Sequence, residues 1–360
     1  MFDLATIFDR PAFSLAKAEK AGLFARALSE LTRHHYARCP QYKRILDVLG
    51  FDVGPTHAMG DQPYVPVRLF KDNRLLSVNH DQIVKTMTSS GTTGQSVSMI
   101  FLDKVTAGNQ TKALVKIAAH IIGPKRRPML IIDSRATLKD RALFSARGAG
   151  ILGFSMLGHD VTYALDEEMR LDMSAVTAFA DRHQGEPVLL FGFTFMIWEH
   201  FHKPLAASGG RLAFENGILL HGGGWKKLSQ LAVTNEVFKH RMQEVCGIRR
   251  VHNYYGMVEQ TGSIFMECEH GRLHCSNYSD IIVRRHSDFS ICPANEPGLI
   301  QLASLLASSY PGHSILSEDT GEISGEDDCP CGRLGKTFTI HGRIKDAEIR
   351  GCSDTYGAGT

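Results

Sequence analysis

Apolar and polar positions in the first fifty residues repeat at helical spacing. Residues 14–35 (SLAKAEKAGLFARALSELTRHH) place apolar side chains three and four apart, and RILDVLG closes a second helix at Gly50. Beyond it, short β-rich runs alternate with helical stretches. PMLIID (128–133) and PVLLFG (187–192) read as buried strands, each bounded by proline and a turn residue. GILLHGGGW (217–225) reads as a strand running into a glycine turn, and KKLSQLAVTNEVFKHRMQEVCG (226–247) as the helix or helix pair that follows. This alternation predicts an α/β architecture. After about residue 262 the pattern changes to short strands such as SDIIVRR and GLIQLASL, with a Cys/Gly-rich loop at 325–335, which predicts a smaller β-rich subdomain.

Composition narrows the function classes. The 360 residues are 43% hydrophobic and 22% charged, enough for one large core or two to three smaller ones. A net charge of +2 leaves no basic face of the size nucleic acid requires. The start, MFDLATIFDR, carries an early acidic residue and no apolar run of signal-peptide length, and no stretch approaches a membrane span. A cytoplasmic protein is expected. Of eight cysteines, Cys39, Cys246 and Cys292 stand alone and Cys352 lies near the C-terminus; Cys268, Cys275, Cys329 and Cys331 fall in two tight pairs. In a reducing compartment such pairs point to metal or redox work before disulfides.

The strongest chemical signal is Thr88-Ser89-Ser90-Gly91-Thr92-Thr93-Gly94-Gln95. Two glycines bracket small hydroxylated residues, so backbone N–H groups can approach an anion while hydroxyls add donors. It follows the β-rich QIVKTMT, where phosphate loops lie. No Lys-Ser/Thr follows the second glycine, so it is not a Walker A loop.

SSGTTG (Ser89–Gly94) resembles the phosphate loop of the adenylate-forming superfamily, which includes acyl-CoA synthetases, peptide-synthetase adenylation domains and luciferases. Gln95-Ser96-Val97 stands where the superfamily's usual Lys would follow. Further motifs come in the family's order. His221-Gly222-Gly223-Gly224-Trp225 looks like the glycine turn that lies against adenine. Tyr255-Gly256-Met257-Val258-Glu259 resembles the motif whose aromatic packs on adenine and whose Glu holds Mg²⁺. Asp319-Thr320-Gly321 matches the carboxylate that hydrogen-bonds the ribose hydroxyls, and Gly342-Arg343-Ile344-Lys345-Asp346 the segment that supplies a ribose- or phosphate-contacting Arg and the hinge. The resemblance therefore implies catalytic roles for Thr88, Glu259, Arg343 and Lys345, and an acyl pocket near Phe193 and Phe195, residues that read equally as an aromatic core stripe.

Within the superfamily, Pro66-Val67-Arg68-Leu69-Phe70-Lys71, HGGGW and Cys-Pro-Cys-Gly-Arg resemble phenylacetate–CoA ligases and the acyl-protein synthetases of bacterial bioluminescence; the ending AEIRGC is most like the latter. The implied fold is the superfamily's large N-terminal domain: two αβαβα-type subdomains plus a smaller β-rich subdomain. On this reading residues 1–345 form the adenylating domain, with α/β subdomains over about 1–260 and a zinc-bearing β-rich part over about 262–340. Residues 346–360 are a short tail after the hinge. About 14 residues follow Asp346, so the small C-terminal domain, with its catalytic Lys and thiol-acceptor channel, is expected to be missing.

Cys329-Pro330-Cys331 supplies a C-x-C pair, and Glu267–Cys275 a Cys and a His from a separate hairpin; such a set suits a tetrahedral structural Zn²⁺. The phenylacetate–CoA ligase branch has a similar pattern, which would select Cys268, His274, Cys329 and Cys331, with His270 and Cys275 as rivals.

These motifs imply an ATP- and Mg²⁺-dependent ligase that converts a carboxylic acid to acyl-AMP and pyrophosphate. Resemblance to truncated members of phenazine-type antibiotic pathways favours an aromatic carboxylate and handover to a partner reductase. The rivals are a long-chain fatty acid transferred to Cys352, a full acyl-CoA ligase, a non-catalytic scaffold for a reductase, and a zinc-stabilised interaction module.

Overall fold

Lys17–Arg38 and Pro40–Leu49 are the two helices that the opening pattern predicts. Phe24, Leu28, Leu31 and His35 form the buried stripe of the first. Proline suits the start of the second, where its missing N–H has no intrahelical partner, and Gly50 closes it in the left-handed conformation (φ 61°). This computed structural model describes residues 2–89, 97–138, 144–225 and 232–344. Among them the chain divides into two units, the first of 2–89, 97–120 and 256–344, the second of 121–138, 144–225 and 232–255.

The first unit carries an antiparallel sheet in the order Ser279–Arg284, Gly298–Ser304, Ser314–Glu326, Lys336–Arg343, Leu273–His274 and Phe265–Glu267. Val65–Pro66 adds a short parallel pairing to Ser314–Glu326. A separate hairpin pairs Ile83–Thr88 with Met99–Asp103. The texture expected after residue 262 is found, with one difference: Ser314–Glu326 runs for 13 residues, two of them glycines. At Gly321 an added Cβ would stand 2.1 Å from the Thr339 carbonyl, so the glycine is there to let two strands approach.

The second unit is a parallel sheet in the order Gly158–Leu165, Arg127–Ser134, Leu189–Phe193, Ile218–Gly222 and Arg250–Tyr255. Its central strands are buried throughout, which explains their continuous apolar runs. Asp172 caps the helix Met173–Arg182, its carboxylate accepting from the Ala175 N–H at 2.9 Å. The helix expected over 226–247 is Asn235–Cys246, started by Thr234 and ended by Gly247 at φ 73°. Residues 226–231 lie outside the described residues, and 232–234 are not helical. Parallel strands put their C-terminal ends on one edge, here Ser134, Leu165, Phe193, Gly222 and Tyr255, and such edges are where open α/β sheets bind ligands. Among the described residues no helix is long and apolar enough to cross a membrane.

Candidate functional site

In the first unit the hairpin closes the base of the phosphate-loop motif. Thr88 pairs with Met99, the Ser89 N–H donates to the Ser98 carbonyl at 3.1 Å, and the Ser98 N–H donates to the Ser89 hydroxyl at 2.8 Å. Ser90, Gly91, Thr92, Thr93 and Gly94 lie outside the described residues, as do Lys345 and Cys352. Glu259 sits on the single 3₁₀ turn Val258–Gln260 and is buried, 3% exposed. The neighbouring strands pair Asp319 with Arg343, and the Arg343 Nε donates to the Asp319 carboxylate at 3.1 Å. Two residues 24 apart in sequence thus become one charged pair, because a register shift between Thr320 and Gly321 sets their side chains opposite one another.

In the second unit the HGGG motif lies at the C-terminal end of Ile218–Gly222, beside the ends of Leu189–Phe193 and Arg250–Tyr255. Its glycines have distinct reasons. A Cβ on Gly222 would stand 2.7 Å from the Tyr254 ring, and one on Gly223 (φ 84°) 2.8 Å from the Phe193 ring. Gly224 (φ 65°) has nothing within 4 Å of that position. The Thr194 hydroxyl donates to the Gly222 carbonyl at 3.1 Å and so accepts from His221 Nδ1 at 2.9 Å. Burial holds the His221 imidazole down to about 3, neutral at ordinary pH. Phe193 is 2% exposed and stacks edge-on with Phe191, while Phe195 lies against His200 on the following helical turn. Tyr255 and Gly256 are partly buried.

Four ligand-type side chains of the first unit converge: Cys268, His274, Cys329 and Cys331 place their ligand atoms within 4.8 Å of one another. Cys268 and Cys329 sulfurs are 3.8 Å apart, and Cys331 Sγ is 3.4 Å from His274 Nε2. Tight turns aim them. The His270 N–H donates to Cys268 Sγ at 3.3 Å, and Gly332 (φ 76°) turns the chain after Cys331. Burial, assisted by Arg333, lowers His274 to about 4, so the imidazole is neutral, the form that ligates. Neither His270 nor Cys275 joins the group. Successive residues of a strand point to opposite faces, and Cys275 follows His274 directly, its main-chain N–H bonded to the Lys336 carbonyl.

Sequence reasoning missed the buried pair Asp133–Arg147 at the ligand edge of the parallel sheet, where Arg147 Nε donates to the carboxylate at 2.7 Å. Its signal was an Asp closing the apolar run PMLIID. It also missed the segment 304–313, which packs on the Glu259 turn.

The acyl-protein synthetase family, LuxE, matches residues 3–358. A long-chain-fatty-acid–luciferin-component ligase of Vibrio harveyi is 22% identical, covering 93% of this chain and 87% of that protein. One of Photorhabdus luminescens is 32% identical over 88 residues, 24% of this chain and 75% of that protein. Among solved structures, an open 2-hydroxyisobutyryl-CoA ligase in complex with 2-HIB-AMP and CoA superposes with a TM-score of 0.70 at 17% identity, over 94% of this chain and 78% of that one. Its postadenylation state with 2-HIB-AMP gives 0.71 at 16% identity, over 94% and 70%. These likenesses establish the adenylate-forming fold. Matched from end to end by that family, the chain belongs to the LuxE acyl-protein synthetases and is a ligase of the acyl-AMP-forming kind.

Proposed function

We propose that the chain activates a carboxylic acid with ATP, with Glu259, Asp319 and Arg343 as the metal- and ribose-binding residues of the first unit and the glycine turn 222–224 as a candidate adenine surface of the second. The observation that carries this reading is the intact Glu259, Asp319 and Arg343 set in one unit of an acyl-protein synthetase. A substrate carboxylate oxygen attacks the α-phosphorus of ATP in line. The new O–P bond forms as the bond to the β-phosphate oxygen breaks, and pyrophosphate leaves. No proton needs to move. The protein's part is therefore positioning and charge compensation. Asp319 offers acceptor oxygens to the ribose hydroxyls while the Arg343 hydrogen bond orients it. Gly224, open on its Cβ side, and Tyr255 offer flat surfaces to adenine. Thr88 and Ser89 stand at the root of the loop that would take the phosphates. Glu259 gives the hard oxygen ligand that Mg²⁺ prefers, and the ion, when bound, neutralises phosphate charge.

For the acid, the names of both curated relatives support a long-chain fatty acid; the aromatic or phenazine-type carboxylate rests on resemblance to pathway enzymes. The family's description supports a protein acceptor, with Cys352 as the candidate thiol, over direct handover to a reductase. Acid-dependent exchange of labelled pyrophosphate into ATP, with myristate and a phenazine carboxylate in competition, tests both levels. Exchange with myristate alone supports the fatty-acid reading; preference for the phenazine acid overturns it. No exchange with any acid overturns the function. Label trapped on protein, released by hydroxylamine and lost in Cys352→Ala, identifies the acceptor.

The Cys268–His274–Cys329–Cys331 group fits a structural Zn²⁺. With Zn–S of about 2.3 Å and Zn–N of about 2.0 Å, a tetrahedron has S···S edges of about 3.8 Å and S···N edges of about 3.5 Å. The separations of 3.8 Å and 3.4 Å match. With four protein ligands the ion would have no open position, and would join the turn at Cys268, the strand at His274 and the loop at 327–335.

A further inference from the structure

We infer that Ser309, Tyr310 and Gly312 form a strut that sets the Glu259 turn and the root of the phosphate loop in one fixed arrangement, with Tyr310 as a positioning residue for the metal–nucleotide. The inference rests on the reading of Glu259 as the Mg²⁺ ligand. A 3₁₀ turn of three residues has almost no hydrogen-bond ladder of its own, so its geometry must come from outside. Here the outside support is specific. The fully buried Tyr310 hydroxyl donates to the Glu259 main-chain carbonyl at 2.8 Å while accepting from Gln110 Nε2 at 3.3 Å. Gln260, the next residue, spends both amide hydrogens on main-chain carbonyls, Gly312 at 2.8 Å and Leu302 at 3.1 Å. Gly312 is glycine for a reason visible at this contact. A Cβ there would stand 2.1 Å from the Tyr310 ring and 3.0 Å from the Glu259 carbonyl.

The other end of the strut reaches the hairpin. Ser309 donates through its hydroxyl to the Phe101 carbonyl at 2.8 Å and through its N–H to Thr106 Oγ1 at 3.1 Å. Phe101 pairs with Thr86, two residues before Thr88 and the loop root. Adjacent residues, Ser309 and Tyr310, therefore grip the two elements that must meet one triphosphate. All of these bonds are buried, so they fix position.

Tyr310→Phe keeps the ring, which packs edge-on against Phe70, and removes only the donor. Titrating Mn²⁺ into protein and ATP, with free Mn²⁺ read by electron paramagnetic resonance, should show its dissociation constant raised about tenfold, as for lost support behind a metal ligand. Pyrophosphate exchange should fall in step and be restored by excess Mg²⁺. Ser309→Ala, which cuts the hairpin tie alone, should weaken ATP binding and leave half-saturating Mg²⁺ unchanged. Wild-type Mn²⁺ affinity in Tyr310→Phe, while Glu259→Gln weakens it, overturns the strut. Unchanged Mn²⁺ affinity in Glu259→Gln overturns instead the reading on which it rests. If Tyr310→Phe does not fold, the titration of Gln110→Leu decides, and unchanged affinity there counts against the strut.

Discussion

In the parallel-stranded unit, the glycine turn takes its shape from rings. Tyr254 lies over Gly222, Phe193 over Gly223, and Phe154, Phe191 and Tyr254 stack behind them. In the antiparallel unit, Glu259, Asp319 and Arg343 are held by strand register and by buried hydrogen bonds to main chain. The first arrangement presents backbone surface and is sensitive to volume. The second presents charge and is sensitive to the loss of one donor or acceptor. The two units thus shape their motifs by different physics.

The largest expected effect on stability lies in the antiparallel unit, at the Cys/His group. On the proposed zinc reading, replacing Cys329 and Cys331 together by Ser, or treating the protein with a chelator, should lower the melting temperature by about 10 °C or more, because metal binding at a structural site is folding free energy. Elemental analysis should find one zinc per chain, and a metal-free protein of full stability would refute the site.

The ring-shaped turn comes next. Gly223→Ala meets both a strained φ of 84° and a Cβ 2.8 Å from Phe193. It should cost about 1–3 kcal/mol in denaturant titration. Phe193→Leu should recover part of that cost if the ring is the obstacle, and a strictly additive double mutant would show that it is not.

Titration offers a matched pair of buried histidines, His221 of the second unit and His313 of the first. Burial lowers His221 and His313 to about 3, against an ordinary 6.5. Between those values the unfolded chain binds more protons than the folded one. The stability each contributes is therefore complete above about 6.5 and is lost as pH falls towards 3. Each group should remove about 2 kcal/mol between pH 7 and pH 5. His221→Gln and His313→Gln should each flatten the stability profile by that share. An unchanged slope would mean that the histidine in question is not buried neutral.

The smallest effect belongs to the charged pair. Asp319 and Arg343 are partly exposed, 13% and 36%, so Asp319→Asn should change stability by less than about 0.5 kcal/mol. The same substitution should weaken ATP binding about tenfold by calorimetry. A large stability loss without an affinity change would make the pair structural.

What was legible in the sequence follows the same division. The parallel strands showed as unbroken apolar runs because both faces are buried, and the glycine turn showed because its strand precedes it directly. Spacing showed the Cys329/Cys331 pair and a hairpin bearing Cys and His, but the choice of Cys268 and His274 over Cys275 and His270 came from resemblance, because the two segments lie about 60 residues apart and meet through strand pairing. Asp319 and Arg343 were found by motif, but no local pattern could give their pairing, which depends on a bulge in a 13-residue strand. The Tyr310 contact was invisible for a related reason. It joins residues 51 apart through a main-chain carbonyl, and a carbonyl leaves no trace in residue identity.

The most direct measurement is Mg²⁺-dependent exchange of labelled pyrophosphate into ATP, by wild type and by Glu259→Gln, at saturating acid. Glu259 is the residue proposed to hold the metal, and its main-chain carbonyl is the one the Tyr310 hydroxyl bonds. Exchange in the wild type, reduced about 100-fold or more in a Glu259→Gln protein that melts within a few degrees of it, is the predicted result. Equal exchange by the two folded proteins would contradict the account.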